Sequence, residues 1–90
     1  MSDSDLTTWR EQISGAMAQH GETWADVVAC TLDDAGLDRR FDADFGGTNG
    51  APFTLWTTGR VYLPACYDGA EWVASVPRHT CGEATEHVGG

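Results

Sequence analysis

The apolar residues of this chain change their spacing part-way along, and that change decides the kind of fold it can adopt. Up to Thr31 they recur three and four positions apart, and from Phe53 onward they alternate. The first spacing buries a stripe of a helix, the second one face of a strand. Leu6, Trp9, Ile13, Ala16 and Met17 share a helical face, with Arg10, Glu11 and Gln12 opposite. Ser4 or Asp5 can cap this helix, and Gly21 stops it after His20. A second helix is expected from Thr23, with Trp24, Val27, Val28 and Thr31 on one face. Asp26 stands three residues after the Thr23 cap, as a capping box requires, and Asp33-Asp34 followed by Gly36 ends the element.

Between Leu37 and Ala51 charges mix with glycine and asparagine, which predicts a long loop with one helical turn over Leu37–Phe41. Three strands are expected after it. Phe53–Thr57 is β-branched and aromatic, Gly59-Arg60 marks a turn, and Val61 resumes a strand. Asp68-Gly69 is a hairpin signal leading into Glu71–Val76. Alternation places Val61, Leu63 and Ala65 on one face and Tyr62, Pro64 and Cys66 on the other. Pro64 lacks a donor, so the strand must bulge or bend there, or its partner must be short. The expected fold is α+β: two N-terminal helices packed on a three-stranded antiparallel meander. Residues 1–90 form one domain, with a loosely held tail from about residue 78.

Charge sets the surface. Fourteen acidic side chains face five arginines and no lysine, a net charge of −9. Seven of the acids fall in one stretch: Glu22, Asp26, Asp33, Asp34, Asp38, Asp42 and Asp44. Such a chain repels nucleic acid and anionic membrane and attracts basic protein surfaces. Direct nucleic-acid binding fails, because phosphates need clustered Lys or Arg and the arginines here are scattered. An apolar content of 41% with four tryptophans is too rich for a disordered acidic tail. The tryptophans exceed what so small a core needs, which predicts an exposed aromatic patch. No apolar run approaches the ~20 residues that cross a bilayer, and the acidic start is unlike a signal peptide, so a cytoplasmic protein is expected.

Motifs with chemistry stop short of completion. Asp42-Ala-Asp44 opens like a calcium loop, but Gly46 takes the fifth position and Phe53 stands where a bidentate Glu belongs. His79, Cys81 and His87 lack the paired spacing of a zinc site. Cys66, Asp68 and His79 contain the residue types of a thiol nucleophile without a recognisable oxyanion loop. The glycine loop Gly46–Gly50 lacks the lysine of a P-loop. Val88-Gly89-Gly90 is a diglycine end like that of ubiquitin-like modifiers, whose folds open with a hairpin rather than helices. Cys30, Cys66 and Cys81, an odd set, read as free thiols, with a Cys66–Cys81 bridge as the alternative. No catalytic residue, metal or cofactor is expected.

The run FTLWTTGRVYLPACYDGAEWVASVPRH, with the short acidic build, resembles small proteins encoded by bacteriophages and prophages, and among them the anti-CRISPR and related anti-defence inhibitors. The resemblance implies a non-enzymatic protein, monomer or weak homodimer, in the host bacterial cell. It would cover a basic or hydrophobic surface on a host protein or ribonucleoprotein complex that handles nucleic acid. The contacts expected are the seven carboxylates of Glu22–Asp44 with an aromatic from the sheet. The alternative is a small assembly component of a phage particle, self-associating through a sheet edge or a tryptophan patch.

Overall fold

The computed structural model describes residues 6–43, 49–67, 70–85 and 87–88. Helix α1 spans Trp9–Gln19, strand β1 Val27–Cys30, helix α2 Asp34–Asp38, and strands β2, β3 and β4 span Leu55–Thr57, Arg60–Tyr67 and Ala70–Pro77. The four strands form one antiparallel sheet in chain order. The expected meander is present as β2–β3–β4, and Tyr67 pairs with Ala70 where the hairpin signal placed the turn. A fourth strand, β1, extends it.

That fourth strand corrects the expected second helix. Thr23 and Asp26 do form the capping box, but over a single 3-10 turn, Trp24–Asp26. The chain then extends as Val27–Cys30. A four-residue apolar run cannot be assigned to helix or strand by periodicity, and here pairing decides. Ala29 and Cys30 lie opposite Trp56 and Leu55, and the Thr31 amide donates to the Thr54 carbonyl at 3.0 Å. The second helix proper is α2, one short turn. Asp33 begins it rather than ending anything, accepting the Gly36 amide at 2.8 Å.

Helix α1 starts later than its periodicity suggests. Its cap is Thr8, whose hydroxyl accepts the Glu11 amide at 3.1 Å, in place of Ser4 or Asp5, which lie outside the described residues. At the other end Gly21 adopts φ 69°, and the Glu22 and Gly21 amides return to the Met17 and Ala18 carbonyls. This left-handed closure favours glycine and turns Glu22 back toward the sheet.

Trp9, Ile13 and Met17 from α1, Leu37 from α2, Phe41, Phe53, Leu55 and Tyr62 make one core on one face of the sheet. Trp9 packs between Phe41 and Phe53, with ring centroids 4.7 and 4.9 Å away, and its ring N–H donates to the Ala51 carbonyl at 2.9 Å. Pro64 needs no bulge, since the β3–β4 register runs unbroken through Pro64–Val73. The short-partner solution applies instead: β2 pairs with β3 only at Leu55–Tyr62 and Trp56–Val61. From residue 78 the described residues are exposed, with the Arg78 amide on the Gly59 carbonyl and Glu83 on Arg60 at 2.9 Å. None of the three cysteines forms a disulfide.

Candidate functional site

The seven acids of Glu22–Asp44 separate into those turned inward and those turned outward. Glu22 is half-buried and accepts from the Tyr62 hydroxyl at 2.6 Å and from the Thr57 hydroxyl at 2.8 and 2.9 Å. Burial, reinforced by this carboxylate, pushes the Tyr62 phenol far above the usual tyrosine range. Thr57, itself fully buried, accepts the Arg60 amide at 2.9 Å, so Glu22 anchors the β2–β3 turn. Asp26 accepts the Thr23 amide in its capping box at 2.9 Å. Asp42 is half-buried, and its carbonyl accepts from the Asn49 side chain at 2.9 Å. Asp44 lies outside the described residues.

Asp33, Asp34 and Asp38 are the outward set, brought together by α2. Asp34 and Asp38 share one counter-ion, Arg10 of α1, at 3.0 and 2.6 Å. The Asp38 hydrogen bond, then that of Asp34, raises the already high Arg10 pKa. The guanidinium also lies 5.1 Å from the centre of the Trp24 ring. Arg10 offsets Asp34 and Asp38, Arg39 and Arg40 follow Asp38 directly in the chain, and the Asp34 side chain keeps 94% of its exposure.

Sequence patterning did not single out Glu71. It is 5% exposed, and its two carboxylate oxygens accept the Asn49 and Gly50 amides at 2.8 and 2.9 Å. Its own amide donates to the Ala43 carbonyl at 2.6 Å. One side chain of β4 thus holds the end of the long loop against Trp9. Gly50 is required there, because a Cβ would come within 2.5 Å of the Trp9 ring. Periodicity gave no signal for this role, since an acid opening a strand reads as a solvated end.

The face of the sheet turned away from the helices is a second candidate surface. Register places Ala29, Trp56, Val61 and Val76 in one row across it. Leu63 with Ala74, Ala65 with Trp72, and Tyr67 with Ala70 follow. No paired position on this face carries a charge, in a chain of net charge −9. Trp72 is 36% and Tyr67 59% exposed, and no residue of this face belongs to the core cluster. Of the four tryptophans, Trp56 and Trp72 lie on this face, while Trp9 is buried in the core and Trp24 packs against it.

Among the described residues no three His, Cys, Asp or Glu side chains are grouped to hold a metal ion, and no helix is long and apolar enough to cross a membrane. Comparison with family models, curated proteins and solved structures gives no match.

Proposed function

We propose that this protein is a non-enzymatic binding protein, of the phage-encoded anti-defence type, that blocks a host protein or ribonucleoprotein complex handling nucleic acid. The observation that carries the reading is the segregation of charge. Acids serving only solubility would be scattered over every exposed surface. Among the described residues Asp33, Asp34 and Asp38 gather at α2 and no paired position of the outer sheet face is charged, while Glu11 and Glu83 are exposed elsewhere. Exposed carboxylates steer the protein to a basic groove, and an uncharged face beside aromatic side chains can be desolvated at little cost once contact is made.

The test uses Asp33→Asn, Asp34→Asn and Asp38→Asn together. Asparagine caps a helix about as well as aspartate, so α2 keeps its start. Capture of nucleic-acid-handling complexes from bacterial lysate at low and high salt should weaken and lose its salt dependence in the triple variant. Unchanged capture at both salts would reduce the acids to solubilising groups. Trp72 and Leu63 on the outer face favour a second reading, an assembly component that self-associates. Sedimentation separates the two: a monomer at micromolar concentration supports the inhibitor, whereas a dimer or larger species abolished by Leu63→Ser supports assembly.

A further inference from the structure

The tail beyond β4 is tied to the sheet by one side chain. Arg78 and His79 still bond to the β2–β3 turn, through the Gly59, Thr57 and Thr58 carbonyls. Beyond them, among the described residues, the polar contact from tail to sheet is that of Glu83. Its carboxylate accepts from both terminal nitrogens of Arg60, at 3.1 and 2.9 Å, in a bidentate fork. Arg60 is itself fixed from β4. Its Nε donates to the Ser75 hydroxyl at 2.8 Å and its Nη2 to the Ser75 carbonyl at 3.4 Å, and the side chain is only 11% exposed.

A cavity of about 440 Å³ lies around this fork. Helix α1 lends it Gln19 and His20, the strands lend Arg60 and Ser75, and Glu83 and Val88 of the tail close it. Glu83 is the one acid among its described lining residues, in a chain of fourteen acids. With Glu83 withdrawn, that lining keeps Arg60 and His20 and no carboxylate. Nor does Glu83 use all that the site offers. A carboxylate fills the fork with its two oxygens. The Ser75 hydroxyl still has its own proton to give and meets the His20 Nε2 at a long 3.4 Å. A phosphate group has a third oxygen for this pair.

We propose that Arg60, Ser75 and His20 form a binding site for a single phosphate group, free or as a monoester, for which the tail carboxylate of Glu83 stands in. When phosphate enters, Glu83 leaves the fork and the tail lifts. One fork holds one phosphate, unlike nucleic acid, which needs clustered cations along its length. A tethered Glu83 competes at high effective concentration, so the site opens only to a ligand that makes more contacts. None of the acids at α2 takes part, and the site does not rest on the inhibitor reading.

Titration of the intact protein with inorganic phosphate, followed by NMR, tests this. The Arg60 Nε–H and Ser75 amide signals should shift, and amide exchange at Ala84 and Thr85 should quicken as the tail lifts. Glu83→Gln removes the competing charge and should bind phosphate roughly tenfold more tightly than the parent. In that background Arg60→Lys keeps a charge but loses the fork, and should weaken binding about tenfold. His20→Ala, at an exposed position where folding is not at stake, should weaken it as well. Acetate offers only two oxygens, as Glu83 does, and should bind Glu83→Gln about tenfold more weakly than phosphate. Phosphoserine separates the two sources: affinity equal to that of inorganic phosphate assigns the site to monoesters, and loss of binding assigns it to the free ion. No saturable phosphate binding by Glu83→Gln, equal binding of acetate and phosphate, or binding undiminished by both Arg60→Lys and His20→Ala would overturn the proposal.

Discussion

The two faces of the sheet are built from the same strands, residue by residue, and differ in what closes them. On the inner face Tyr62 is fully buried, and the acids Glu22 and Glu71 tie its surroundings to the chain around them. On the outer face Ala65 is buried and Val61 and Leu63 are half-buried, yet none of the three belongs to the core cluster. Apolar character alone therefore did not choose the core. The chosen side is the one where buried polar groups find partners, because an unpaired one costs about 1–3 kcal/mol.

Removing an inner-face anchor should have the largest effect. Glu71→Ala leaves the Asn49 and Gly50 amides unpaired and should lower unfolding free energy by about 3 kcal/mol in urea denaturation. Gly50→Ala forces Trp9 aside and should cost about 2 kcal/mol by overpacking. Equal stability of either variant and the parent would erase the contrast between the faces.

Tyr62→Phe should cost about 1 kcal/mol at neutral pH, measured the same way. Its pH dependence sharpens the comparison. The folded-state pKa is raised, so the unfolded chain loses the proton first as pH climbs past the ordinary tyrosine value of 10.0. The Tyr62 contribution is complete below that pH and falls away above it. The alkaline loss of stability should therefore be smaller in Tyr62→Phe than in the parent.

The smallest effects on folding belong to the outer face. Leu63→Ser and Trp72→Ser remove cross-strand contacts to Ala74 and Ala65 and should each cost about 1 kcal/mol. Their consequence should appear in partner capture or sedimentation instead. A loss comparable to that of Glu71→Ala would mean that this face belongs to the folded core.

The helix at Trp9–Gln19 and the strands from Leu55 were legible in the sequence because their apolar spacing is long enough to have a period. Val27–Cys30 was not, since so short a run fits either period and only the neighbouring strand resolves it. The acids were legible as a cluster but not as individuals. Nothing in the spacing of Glu22 distinguishes it from Asp34, yet one anchors Tyr62 and the other projects into solvent. That division depends on the left-handed turn at Gly21 and on Arg10, which arrives from a separate element.

Glu71 also has a consequence for the order of events in folding. The Trp9 ring is enclosed by Phe41 and Phe53, and Asn49 and Gly50 are held near it by a carboxylate from β4. The half of the chain synthesised first thus cannot complete its interior until the half synthesised later has emerged. Helix and sheet should melt in one cooperative transition, with no stable fragment surviving the loss of the other.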